Sequence, residues 1–526
     1  MEINKHKLWG ITLSFALTIG AFSCKSDQTG NAGGFISSIF SSEISSDKIK
    51  QELEQTNPNN TNDSIDSINN LPRLVYELYE KNNFKPFWME AYKLSDKGRN
   101  ALKAITAIQN DGLYPEHYHL NQLQQDTSLL NDNEDAAVRF DILLTQSIAK
   151  AAKDLQYGVI NPMVVDKEWH IPNDSVFNLD ALLNLDSLGD KDILDCYRPQ
   201  NPRYALMRKG FEKWNTLKTD SAYLSFKTEL NSGNNTVIPE IIHKEINSDE
   251  NDSNLIKTYQ YLNHLSATGK VDEELLNVLR QQPDHYMQLL SINLERMRWL
   301  PKSFDSQYIW VSIPQAEIDY YKDGNNLFHN RTVVGSKTTR TPSLMKPLQN
   351  IVLCPPWGVP MSIIKNEYNG RIPSRYEVYK GGKRVPNSMV NSSNYRQFVV
   401  RQAPGPSAAL GYVKFNLPNK WDIYLHDTPG RYVFGNKVRY LSHGCVRVKN
   451  PRDLAALILE NKGVGIDSIN NLIKKNRTKL IPTDTINVYI AYFTVNSDST
   501  IHNILYLNDP YKKDEALKEE FLTKIK

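Results

Sequence analysis

Cys445 stands two residues after His443 and nineteen after His426, in the run Tyr440-Leu441-Ser442-His443-Gly444-Cys445-Val446-Arg447. A thiol, an imidazole, a glycine that frees backbone N–H groups and an arginine that can hold a carboxylate are the parts of a cysteine acyl-transfer centre working through a thioester. An unperturbed thiol, with a pKa of about 8.5, is mostly protonated at neutral pH, so a base must sit beside Cys445. The residues offer two, His426 and His443. Side chains two apart share a face of an extended strand, but Gly444 points to a turn where that rule fails. His426 instead ends the apolar run Asp422-Ile423-Tyr424-Leu425, from which it could cross to the thiol. Gly444 and Cys445 can offer N–H groups to an oxyanion. Tyr424 and Trp357 are candidate walls of a cleft, though either could equally be core. Zinc held by His426, His443 and Cys445 would want a further ligand at short spacing, such as a Cys-x-x-Cys pair; none is present, and neither a metal nor a cofactor is expected.

These residues need a frame, and 526 residues are too many for one core, so three or four domains are expected. A formal net charge of +3 is small for this length and argues neither for nor against nucleic acid; no motif brings nucleic acid in as a partner. Residues 71–220 read as helical, with Phe140, Leu143, Leu144, Ile148, Ala151, Ala152 and Leu155 on one face. Asp111-Gly112-Leu113-Tyr114-Pro115 and Gln156-Tyr157-Gly158-Val159 interrupt the helices. From Ser291 the character turns to strands: Tyr308 to Ile313 alternates, Asp323-Gly324 signals a hairpin, and Ile351 to Cys354 and Asp422 to Leu425 follow. Asn450-Pro451 then opens a helix, with Asn450 as its N-cap. The fold class is multidomain α+β, helical first and mostly β after.

The N-terminus carries a targeting signal: Lys5 and Lys7, an apolar run from Leu8 to Phe22, then Ser23-Cys24. Fifteen residues are short for a spanning helix and suit a signal core, which makes Cys24 a candidate for lipidation and the chain a lipoprotein. Residues 25–70, rich in Ser, Asn, Asp and Gly, read as a disordered tether with a reach of about 35–40 Å and one weak helix near Ile44 to Leu53. Cys196 and Cys354 fall in different regions and are expected as free buried thiols.

The run Ser442 to Arg447 resembles the signature of the L,D-transpeptidases, the YkuD-type cysteine enzymes that cross-link bacterial peptidoglycan. Asn293-Leu294-Glu295-Arg296 with Arg298-Trp299-Leu300-Pro301, Arg401-Gln402 with Pro404-Gly405-Pro406, Ala409-Leu410-Gly411 and His426-Asp427-Thr428-Pro429 extend the resemblance to the large, YcbB-like members. It implies a helical scaffold at 71–220, a small peptidoglycan-binding-like module at 235–285 that departs from pattern at Asp272, and a catalytic domain at 291–511 whose lid spans 362–400. It also implies Cys445 as nucleophile, His426 as base, His443 as support for turn and substrate, Arg447 as holder of the donor carboxylate, and susceptibility to carbapenems. The implied reaction joins the third residues of peptidoglycan stem peptides at the periplasmic face of the cell envelope, with the membrane engaged through the lipid. Two rivals stay open: carboxypeptidase or D-amino-acid exchange through the same thioester, and a wall-binding lipoprotein without catalysis.

Overall fold

Helix Pro283–Arg298 ties the helical and strand-rich halves together because almost every side of it is buried. Apolar Leu290, Ile292, Leu294 and Met297 share that helix with the fully buried Glu295 and Arg298, which pair at 3.0 Å. A buried charge must be matched on every side. Glu295 Oε1 accepts from the Ile160 N–H at 2.8 Å and the Trp299 indole at 3.1 Å, while Arg298 donates to the Asp111 carbonyl at 2.8 Å and the Tyr204 hydroxyl at 3.2 Å. The two helix-breaking turns serve this joint. Gly112, at φ +71°, lies where a Cβ would come within 2.7 Å of Ser291 Cα, and Gly158, at φ +84°, where one would come within 2.5 Å of Glu295 Oε1.

The computed structural model describes residues 43–56, 70–130, 133–173, 175–187, 191–246, 252–498 and 503–525. Cys24, the signal segment and most of the tether lie outside them. The helix expected near Ile44 to Leu53 spans Ser46–Thr56, with Ile49, Leu53 and the preceding Ile44 buried and Lys48 paired to Glu134 and Asp135 at 2.6 and 2.8 Å. It packs against helix Glu134–Tyr157.

Helices Ile238–Ile246, Asp252–Leu262 and Glu273–Leu279 make up the small module, and share one core with the larger helical region and the hairpin Val495–Asp498/Asn503–Tyr506. Trp214 stacks on Tyr286 at 4.1 Å and donates to the Tyr506 hydroxyl at 2.6 Å, fastening hairpin to helices. Asp272, the departure from the module's pattern, caps helix Glu273–Leu279 by accepting from Leu275 N–H at 2.9 Å.

One curled sheet carries the strand-rich half, in the spatial order Lys479–Pro482, Asn350–Leu353, Val413–Asn416, Leu425–His426, Val446–Val448, Asn325–Gly335, Glu317–Lys322, Gln307–Ser312, Asn487–Ala491, Ser343–Pro347 and Trp169–His170. Its last strand comes from the helical half and runs parallel to Ser343–Pro347. The hairpin turn at Asp323 and Gly324, both at positive φ, joins two long antiparallel strands. Within 362–400 the polar sequence folds as a small body of its own. Strands Lys383–Val385, Glu377–Lys380 and Val399–Gln402 pair in turn and reach Trp357–Gly358, over a core that includes Ile364, Tyr376, Val378, Phe398 and Val400. Helix Pro451–Leu459 starts where expected, but Asn450 sits at φ +55° with no side-chain cap bond; its carbonyl receives the Asp453 N–H at 3.2 Å instead.

Candidate active site

Three adjacent strands set the site by register. Lys414 pairs with His426 across an antiparallel ladder, and His426 with Arg447 across a parallel one. Register partners share a face, and alternation adds Tyr424, two before His426, and Cys445, two before Arg447. The opposite face, Val413, Phe415, Leu425, Val446 and Val448, is wholly buried. Chemistry and core therefore occupy the two sides of the same strands. A cleft of about 810 Å³ covers the polar side, lined by Trp357, Tyr424, His426, His443, Cys445 and Arg447 among others.

His426 is buried, and its Nδ1–H donates to the Asp427 carbonyl at 2.6 Å, which leaves Nε2 as the acceptor of the neutral ring. Burial, reinforced by the Arg447 and Lys414 cations, pushes its pKa down to about 3 against the pull of that carbonyl. Cys445 is half-buried, its S–H donating to the Asp422 carbonyl at 3.3 Å, and burial pushes the thiol up to about 11 against contacts with Tyr424. At neutral pH the resting pair is thiol and imidazole, both uncharged. Burial also lowers Lys414 and Arg447 and raises Tyr424, whose ring carries the Lys414 ammonium at 4.1 Å. Among the described residues neither Lys414 nor Arg447 has a carboxylate within ion-pair distance.

Residues 306–467 match the family model described as the L,D-transpeptidase catalytic domain, YkuD, and residues 73–210 match the one described as the Scaffold domain. Residues 306–467 are by this match a YkuD-type catalytic domain. A curated protein of Haemophilus influenzae named "Putative L,D-transpeptidase" is 33% identical over 246 residues, 44% of this chain and 49% of that protein. The chain thus spans about half the length of that relative. Two solved structures match at low similarity: an Ldtfm–avibactam carbamoyl enzyme, at 13% identity and TM-score 0.19, covering 40% of this chain and 63% of that one, and a cysteine-to-serine mutant of Enterococcus faecium L,D-transpeptidase, at 12% and 0.18, covering 40% and 64%.

The turn that carries Cys445 is held largely by side chains to which the sequence reading gave no role. Ser442 Oγ donates to the Cys445 carbonyl at 2.6 Å and accepts the Gly444 N–H at 3.1 Å. Gly444, expected as an oxyanion donor, has its N–H engaged in this way; at φ +115° it shapes the turn. Thr341 Oγ donates to the Gly444 carbonyl at 2.7 Å, Thr339 Oγ to the Ser442 carbonyl at 2.9 Å, and the Tyr511 hydroxyl to the Gly335 carbonyl at 2.6 Å. These threonines sit in a polar loop over a hundred residues upstream, with no local signal linking them to Cys445. Lys414 had one: a lysine alternating with Val413 and Phe415 is a charge facing away from a core.

The glycine and aspartate of the flanking motifs also resolve. Asp427 accepts the Tyr412 and Thr428 N–H groups at 2.9 and 2.8 Å, and a Cβ on Gly411, at φ +57°, would meet its carboxylate at 2.5 Å. Together they fix the carbonyl that orients His426. His443, expected to support the turn, is 56% exposed and meets Glu367, in the 362–400 segment, at 2.7 Å. Trp357 starts the short strand that pairs with Val399–Gln402 and lies beside Tyr424. Cys196 and Cys354 are free thiols, the second buried. Among the described residues no three His, Cys, Asp or Glu side chains gather as metal ligands, and no helix is long and apolar enough to cross a membrane.

Proposed function

We propose that this protein is a peptidoglycan L,D-transpeptidase. Cys445 attacks the carbonyl of the third, dibasic residue of a tetrapeptide stem as His426 Nε2 takes the thiol proton. The C–N bond to D-alanine breaks, and the imidazolium returns the proton to the leaving amine. A side-chain amine of a second stem then attacks the thioester; its proton passes through His426 to the departing sulfur, and a link between third residues remains. One observation supports this above the rest: register puts a neutral, tautomer-fixed His426 and an unpaired Arg447 on the face that carries Cys445.

Because thiol and imidazole both rest uncharged, proton transfer belongs to the attack itself and does not precede it. With the Gly444 N–H engaged by Ser442, the oxyanion donor is the N–H of Cys445. Arg447, with no carboxylate partner of its own, takes the stem's free carboxylate; His443 and Glu367 support the substrate at the lid's edge. Tyr424 and Trp357 wall the bound stem. Lipid on Cys24 holds the enzyme to the membrane at the periplasmic face.

Purified enzyme incubated with disaccharide-tetrapeptide, read by mass spectrometry, tests the reaction. A cross-linked dimer is expected. Trimmed tripeptide alone would make the protein a carboxypeptidase, and unchanged substrate a wall-binding scaffold. Fatty-acid labelling lost in Cys24→Ala tests the anchor.

A further inference from the structure

The strand Trp169–His170 belongs by sequence to the scaffold region yet completes the edge of the catalytic sheet, with Trp169 opposite Ser343 and His170 opposite Leu344. From that edge two sets of contacts run toward Cys445. In one, the His170 ring stacks on Trp421, centroids 4.0 Å apart and planes 21° from parallel. Trp421 immediately precedes Asp422, a non-glycine residue at φ +56°, whose carbonyl accepts the Cys445 S–H at 3.3 Å. A left-handed Asp costs free energy and persists only where its surroundings impose it. Asn419 imposes it from within, its Oδ1 accepting the Trp421 and Ile423 N–H groups at 3.0 and 3.1 Å and its Nδ2 donating to the Ile423 carbonyl at 2.7 Å. The His170 stack imposes it from outside.

In the second set, Glu168 pairs with Lys513 at 2.9 Å and faces Arg340 at 3.9 Å, and the Arg340 guanidinium lies over the Tyr511 ring at 5.5 Å. Tyr511 holds the loop from Gly335 to Thr341 at both ends, and the Thr341 hydroxyl donates to the Gly444 carbonyl. The three-residue stretch Glu168 to His170 therefore braces both the carbonyl that accepts the S–H hydrogen bond and the turn that presents the sulfur.

We propose that His170 is a positioning residue for the nucleophile: by stacking on Trp421 it keeps the Asp422 carbonyl aimed at the Cys445 S–H, so that the helical half of the chain sets the resting state of the thiol. A carbonyl accepting from S–H favours the neutral thiol, and a closed 419–422 loop keeps water from it. Loosening the loop removes both effects, and both removals favour the thiolate. The other charged and titratable groups around the sulfur are Lys414 and His426 on neighbouring strands, Arg447 two residues on along the chain, Tyr424 and the Asp422 carboxylate beside it, and His443 with Glu367 across the turn; none of them touches His170. The proposal rests on Cys445 as the nucleophile, and it assigns the scaffold a part in the chemistry.

The test is the pH dependence of iodoacetamide alkylation at Cys445 in the full chain, followed by peptide mass so that Cys196 and Cys354 do not interfere. His170→Ala should move the profile about half a unit to lower pH, which reads below the midpoint as roughly threefold faster alkylation. His170→Phe, which keeps a flat ring, should stay within about 1.5-fold of wild type, and Trp421→Ala should match His170→Ala from the other side of the stack. A wild-type profile in both alanine variants, or an equal shift in His170→Phe and His170→Ala, overturns the proposal. Alkylation reads the thiol whatever reaction the cleft performs, so failure here leaves the transpeptidase assay standing, and failure there leaves this one.

Discussion

The buried polar groups at the joint and those in the cleft are built in opposite ways. At the joint, Arg298, Glu295, Asp111 and Arg198 are enclosed and each is answered: Asp111 alone is met by Arg198, Arg208 and Tyr204 at 3.0, 2.8 and 2.9 Å. In the cleft, Lys414 and Arg447 are also desolvated, beside the uncharged His426 and Cys445, but among the described residues no carboxylate lies within ion-pair distance of either cation. Saturated buried charge is architecture, since every group already has its partner. Unsaturated buried charge is a vacancy for someone else's atoms.

The sharpest way to break this contrast is to remove the thiol proposed as the nucleophile. Cys445→Ala should lose all covalent adduct with a carbapenem while intact mass shows one adduct on wild type; an adduct surviving in the variant would place the chemistry elsewhere. Next in size is His426→Gln, which should slow acylation by about 10² to 10⁴, the range for a positioned general base, without shifting the urea midpoint. The joint should answer the opposite way. Arg298→Met strands a buried Glu295 and should cost about 3–5 kcal/mol in urea unfolding, yet leave the acylation rate of the folded fraction within roughly twofold. If Arg298→Met instead slowed acylation and spared stability, the division between the two clusters would collapse.

Much of this was legible in the residues. The hairpin at Asp323-Gly324 and the cleft face of Leu425-His426 follow from turn chemistry and alternation, which are local. The family motif around Arg298 was legible as a motif but not as a joint, because Asp111 and Tyr204 lie far away in sequence and only packing brings them together. The same holds for Thr341 beneath Gly444. At Ser46–Thr56 the two aliphatics Ile49 and Leu53, one turn apart, sufficed to mark the short helix that forms there, whereas at Asn450 the expected cap residue is left-handed and makes no side-chain cap bond.

The smallest expected effect is also the one that separates the two histidines. His443 and Glu367 are exposed, and exposed ion pairs contribute about 0–1 kcal/mol, so His443→Gln should leave the urea midpoint nearly unmoved and slow acylation by less than roughly tenfold. The pH series distinguishes this from His426→Gln. His426 loses its proton near pH 3 and Cys445 near pH 11, so wild-type acylation should stay level between about pH 5 and 9, without the fall near pH 6 that an unperturbed histidine would give. Without His426 the thiolate must form on its own, and its fraction grows tenfold per pH unit below its pKa. His426→Gln should therefore recover steeply with alkali, whereas His443→Gln should keep the level wild-type profile, displaced downward. Acylation rates of both variants from pH 6 to 10, with circular dichroism to confirm folding, measure this; a steep alkaline recovery in His443→Gln and a flat one in His426→Gln would reverse the roles assigned to the two rings.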